Sequence, residues 1–184
     1  MSFVSTNTVS GRRSNRTPDV PAFFRRRFRW KNGEVIVDLP EDERDMLQHV
    51  LPQLRSLVIG ETDPALRRLS PPARPDDDEA ETFYRQMVTD ELLRSRLDAI
   101  DVVEDGIGGT TLNDEGVTAW MHSLNALRLV LGERLDVDVI GHDALHDLDP
   151  SDERAPVMAL YEWLGWLLEQ LVDAAMNALP DGDD

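Results

Sequence analysis

The sequence predicts a mainly α fold, a helical bundle with a short N-terminal β-hairpin. Two observations carry that prediction: four long stretches hold apolar residues at helical spacing, and one strand–turn–strand signal surrounds Asn32-Gly33. In the hairpin, Phe28, Trp30, Val35 and Val37 alternate around Lys31-Asn32-Gly33-Glu34, and Asn-Gly between β-formers selects a tight turn. Two strands alone are marginal in water, so the aromatic face must pack on helices or on a partner's strand.

Asp38-Leu39-Pro40-Glu41 opens the first helix, with a cap candidate, a proline and acids at the positive end of the dipole. Met46, Leu47, Val50, Leu51, Leu54, Leu57 and Val58 keep helical spacing up to Gly60, and Pro52 is expected to kink it. Asp63 to Leu69 reads as one or two helical turns, and Ser70 to Asp78, with three prolines and three aspartates in a row, reads as a loop. A helix follows from about Glu79 to Ile100, then a Gly-rich turn from Glu104 to Thr110. Thr111 or Asn113 caps the next helix, in which Val117, Trp120, Met121, Leu124, Leu127 and Leu131 share a face. Leu135 to Pro150 connects to a last helix, Ser151 to Leu179. There Leu160, Trp163, Leu164, Trp166, Leu167, Leu168, Leu171 and Val172 nearly encircle the axis, which suits the centre of a bundle or a homodimer contact.

The 184 residues suffice for one domain with a real core, assigned to residues 28–179. Residues 1–27 read as a basic, disordered arm and 180–184 as an acidic tail. No apolar run approaches the ~20 residues of a spanning helix and no signal peptide is evident, so the chain is expected to be soluble and cytoplasmic, with no membrane contact. There is no Cys, which excludes thiol nucleophiles, thiolate zinc sites and redox disulfides. Lys31 is the only lysine and sits in the hairpin turn, so no phosphate-loop lysine is present.

Charge is unevenly spread. Residues 1–31 hold eight basic residues and one acid, +7, whereas the remainder carries −24, for a net charge of −17. Arg12, Arg13, Arg16, Arg25, Arg26, Arg27 and Arg29 are therefore candidates for contact with anionic surfaces, weak nucleic-acid binding included. The alternative is that the arm folds back on its own acidic body.

The sharpest metal pattern is His142-Asp143-Ala144-Leu145-His146, with Asp149 close behind. Histidines at i and i+4 share a helix face, and a carboxylate could complete a triad. A metalloprotease helix carries Glu directly after the first His, however, and this segment lies in a connector between Gly141 and Pro150; solvated loop histidines are the plainer reading. Glu104-Asp105-Gly106-Ile107-Gly108-Gly109-Thr110 has no strand before it and no lysine after it, and its acids would repel phosphate. His49 and His122 lie beside apolar helical positions, at the edge of the core. Asn125 and Arg128, three apart on one helix, read either as a helix-tying polar pair, with a carboxylate for the arginine, or as a partner contact.

Three strings then resemble a known family. They are Trp120 with Leu124-Asn125-x-Leu127-Arg128-Leu129-x-Leu131-Gly132-x-Arg134-Leu135; Asp63-Pro64-Ala65-Leu66-x-Arg68-Leu69-x-Pro71-x-Ala73; and Leu160-Tyr161-x-x-Leu164-x-x-Leu167. The sequence is similar, from about Phe28 to Leu179, to an actinobacterial domain family of unknown function whose named branch is the AosR-like group of oxidative-stress regulators. The resemblance implies a regulatory protein that acts through protein partners in transcription, often encoded beside the adaptor of the Clp protease. The redox-sensing branch uses a Cys-x-x-x-Cys pair, which this sequence lacks. Two function classes follow. One is a non-enzymatic regulator or adaptor without cofactor, its acidic helical surface suited to a sigma factor or another transcription component. The other is a metal-dependent enzyme using His142, His146 and a nearby carboxylate.

Overall fold

The computed structural model describes residues 26–60, 69, 78–141 and 148–177, with the backbone alone over 78–90. Strands β1 (Phe28–Lys31) and β2 (Glu34–Val37) pair antiparallel in the register Phe28↔Val37 to Lys31↔Glu34. Asn32 and Gly33, at φ 55° and 91°, take the left-handed conformations that a two-residue turn of this type requires. A third strand, β3 (Thr111–Leu112), pairs antiparallel with the other edge of β2, giving the order β1-β2-β3. The sequence reading has no β3, because two residues behind a glycine-rich turn carry no period. They are held in place by β2, where the Val37 N–H donates to the Thr110 carbonyl at 2.9 Å.

Helix α1 (Glu41–Gly60) opens with three acids and buries Leu47, Val50, Leu51, Leu54 and Val58, the i, i+3, i+4, i+7 stripe. It is one continuous helix across Pro52, which faces solvent. Helix α2 (Asp78–Gly106) extends six residues past the expected end at Ile100. Ile100, Val103 and Ile107 continue its apolar face into the core, so Glu104 to Gly106 are helical and the turn is confined to residues 107–109. Arg55 of α1 bridges to α2, its Nη2 donating to Asp101 Oδ1 (2.5 Å) and Glu104 Oε2 (2.6 Å). Those hydrogen bonds hold its pKa above the ordinary guanidinium value.

Asn113 caps α3 (Asp114–Arg134), its side chain accepting from the Gly116 N–H at 2.9 Å. After the short α4 (Val137–Ile140) comes α5 (Ala155–Met176). It begins four residues later than the sequence suggests. The Asp149 carboxylate accepts from the Ser151 N–H and hydroxyl and the Asp152 carboxylate from the Arg154 N–H, so tight turns occupy the expected first turn and Pro156 starts the helix proper. The long helices enclose one core with the inner face of the sheet. Trp120 lies fully buried at its centre, meeting Phe28 edge-to-face with ring centroids 5.6 Å apart. No described helix is long and apolar enough to cross a membrane. The expected turns at Asp63 to Leu69 lie outside the described residues save for Leu69, and so does the expected loop at Ser70 to Asp78 save for Asp78, which is helical as the first residue of α2.

Candidate functional site

Two of the three resemblance strings meet where α3 packs on α5. The Arg128 guanidinium lies over the Tyr161 ring, 4.8 Å from its centroid. A Cβ on Gly165 would come 3.3 Å from Arg128 Nε, and one on Gly132 would come 3.2 Å from Tyr161 Cε2. The two glycines thus let an arginine and a tyrosine interlock across the seam. Asn125, by contrast, is exposed and makes no hydrogen bond to Arg128. The helix-tying ion pair expected at Arg128 is replaced by a cation–π stack, with Nε buried and without a hydrogen-bond acceptor. Because no carboxylate is orphaned by its loss, Arg128→Ala should cost about 1–2 kcal/mol, the range of a partly desolvated cation–π contact with its packing. Urea unfolding of Arg128→Ala, Tyr161→Leu and the double variant checks this: the two losses should be clearly less than additive.

Beside this seam an apolar groove of about 730 Å³ runs between α1 and α5, floored by α3. Val50, Leu54 and Leu57 form one wall, Leu160 and Trp163 the other, and Leu127, Val130 and Leu131 the floor. Met46, 45% exposed, stands at its mouth, with His49, Gln53, Arg134, Glu153 and Arg154 on the rim. Of the two helical histidines of the sequence reading, His49 therefore edges the groove and His122 faces solvent.

The rim is braced by Asp152. Its carboxylate accepts from the Arg154 Nε (3.0 Å), Nη2 (2.8 Å) and backbone N–H (2.9 Å), and these hydrogen bonds lower its pKa to about 2. A carboxyl depressed in the folded state favours folding above its unfolded pKa, and the benefit is lost as pH falls through about 2. An NMR titration of Asp152 should give that value, and Arg154→Ala should move it up toward the ordinary carboxylate range while the backbone donor keeps part of the depression.

Residues of the presumed arm divide. Arg12, Arg13, Arg16 and Arg25 lie outside the described residues, and Arg26 is exposed. Arg29 is exposed and 3.7 Å from Asp38. Arg27 is corrected: it is 7% exposed and belongs to the fold, not to an anion-contacting arm. Its Nε and Nη2 grip both Glu43 oxygens at 2.7–3.0 Å, its N–H donates to Gln170 Oε1 at 2.8 Å, and its guanidinium stacks on Trp166 at 5.2 Å. Glu43 holds its pKa above the ordinary value. One residue therefore ties the hairpin to α1 and α5. No sequence signal separates it from its neighbours Arg25, Arg26 and Arg29; only the docking of the hairpin does.

His142 and His146 lie outside the described residues. Asp149, their proposed third ligand, accepts both hydrogen bonds from Ser151, which lower its pKa and commit that oxygen to the turn before α5. Among the described residues no three His, Asp or Glu side chains gather as a metal site.

Fold and site together define a helical domain, capped by a small sheet, that presents an apolar groove beside an arginine–tyrosine seam. A family model described as "Domain of unknown function (DUF2017)" matches residues 25–175, and the chain belongs to that family. Curated relatives from Mycobacterium bovis and Mycobacterium tuberculosis, each named "Oxidative stress regulator AosR", are 32% identical over 133 residues. The match covers 63% of this chain, and the chain spans 60% of the length of those relatives. No solved structure matches.

Proposed function

We propose that this chain is a non-enzymatic regulatory protein that acts by holding a protein partner in the groove between α1, α3 and α5. The observation that carries the reading is the groove itself, an apolar trough across three helices of an otherwise strongly acidic body. Buried apolar anchors supply affinity, while the net negative charge of the body as a whole favours a basic partner and speeds its encounter. The relatives named as oxidative stress regulators support a regulatory role, and a component of the transcription machinery such as a sigma factor is a partner of suitable charge. With no Cys in the chain, a thiol switch within it is not the means of control.

Met46→Glu with Leu57→Glu places charge at the mouth and wall of the groove, at positions that are not fully buried. Capture of partners from native lysate, with the bound proteins quantified for both forms, tests the reading. The double variant should keep its melting temperature within a few degrees and lose at least tenfold of a specifically captured partner. Retention of every captured protein by the variant would refute the groove as the binding site.

A further inference from the structure

We propose that the segment just before the hairpin, Val20 to Phe24, docks into the near end of the α1/α3/α5 groove and competes there with a partner. The docking stands apart from the partner reading above; only its consequence, competition for the groove, rests on that reading.

The chain joins the described structure at Arg26 and is pinned one residue later. The Arg27 N–H donates to Gln170 Oε1 (2.8 Å), its guanidinium lies over Trp166 (5.2 Å), and its fork holds Glu43. Glu43 and Trp166 stand one helical turn from Met46 and Trp163, both of which line the groove. Arg27 therefore spans the space between α1 and α5 at one end, and the groove is the part of that space left open. Gln170 and Trp163 are seven residues apart on α5, a rise of ~10.5 Å at ~1.5 Å per residue. From Arg27 back to Phe23 is four residues, which span up to ~13–14 Å when extended. Phe23 and Phe24 are thus within reach of Met46 and Trp163 with the fold unchanged, and Val20 is within reach of Leu160.

Chemistry and tethering select this occupant. The side chains left exposed where the chain comes in are apolar: Met46 is 45% and Trp166 37% exposed. The tether carries Val20, Ala22, Phe23 and Phe24 immediately before its cations. Beside the apolar mouth Asp42 and Asp45 of α1 are exposed, and these acids suit Arg25 and Arg26 once the phenylalanines are seated. A ligand on a short linker meets its site at an effective concentration on the order of millimolar, so the chain's own segment takes the groove ahead of a free partner of equal intrinsic affinity. The cleft beside β1 is the competing berth. There Phe28 is buried, which leaves Trp30 and Ala174 among Arg26, Arg29, Lys31 and Asn177, polar side chains where the groove presents apolar ones.

The test uses the full chain in two ways. Phe24→p-benzoylphenylalanine is irradiated and its cross-links are mapped by mass spectrometry, and the peroxide oxidation of Met46 is compared between the parent and Phe23→Ser/Phe24→Ser. Expected is a cross-link within one chain to Met46 or Trp163, its yield unchanged by dilution. The yield should also hold in roughly 1 M salt, where charges are screened within ~3 Å. Met46 should oxidise at least threefold faster in the double variant, while Met176, 62% exposed at the far end of α5, oxidises equally in both. Circular dichroism of the double variant should match the parent. Cross-links confined to Trp30 or Ala174, or formed only between chains, overturn the proposal, and so does equal oxidation of Met46. Loss of the cross-link in high salt would assign the contact to general attraction between a basic tether and an acidic body, and overturns it too. Lysate capture separates the two readings. Phe23→Ser/Phe24→Ser should raise capture of the groove partner at least threefold, and capture that falls in Met46→Glu/Leu57→Glu yet does not rise here refutes the competition. If neither variant moves capture while the cross-link stands, the docking holds and the partner reading falls.

Discussion

Arg27→Ala should destabilise the chain by about 3–5 kcal/mol, the cost of leaving a buried charge without its partner. Both members of the pair are largely withdrawn from water, with side-chain exposures of 8% and 12% for Arg27 and Glu43. Truncation removes the bidentate grip on Glu43 and the stack on Trp166 together, so the carboxylate is left in the hairpin–helix junction without the cation that pairs with it. For a domain of this size the melting temperature should fall by roughly 2–4 °C per kcal/mol. Removing both charges separates the penalty of an orphaned ion from the net worth of the pair: Arg27→Met with Glu43→Met should recover more than half of the loss. A single variant within 1 kcal/mol of the parent in urea unfolding would show that the junction is wet and the pair expendable.

That junction marks where local pattern stops being informative. The hairpin is legible because Asn-Gly needs no tertiary help to favour its turn, and α3 because Asn113 supplies a cap to a clear apolar stripe. Strand β3 is not legible, since its two residues become a strand only when β2 offers them an edge. The end of α2 is misjudged for a similar reason: Glu104 and Asp105 look like the start of a turn, yet Val103 and Ile107 are pulled into the core and carry the helix with them. Arg128 draws attention correctly as an arginine near the core, but its partner is an aromatic ring on α5 rather than a carboxylate, and sequence spacing cannot bring Tyr161 beside it. The groove is legible only as apolar residues that three helices each have to spare.

Trp120→Ala should cost about 3–5 kcal/mol, comparable with the loss of Arg27 but by a different route, through an unfilled cavity at the centre of the core. The indole is fully buried, meets Phe28 edge-to-face, and lies so close to Gly106 that a Cβ there would stand 3.2 Å from its ring. The indole Nε1 is buried without a hydrogen-bond acceptor, so part of its burial is unfavourable. Trp120→Phe drops that donor while keeping most of the ring, and it should therefore cost markedly less than Trp120→Ala. The hairpin has no independent stability and docks through Phe28 on this ring, so the truncation should loosen it before the helices melt. Amide exchange at Arg29 and Ile36, which bond to each other across the hairpin, should rise in Trp120→Ala relative to exchange at Leu124 and Leu127, whose helix retains its packing against α5. Equal acceleration at all four sites would mean that sheet and helices open only as one unit. A loss below 1 kcal/mol would mean that the core closes over the missing ring, and that the sheet is held chiefly by Arg27.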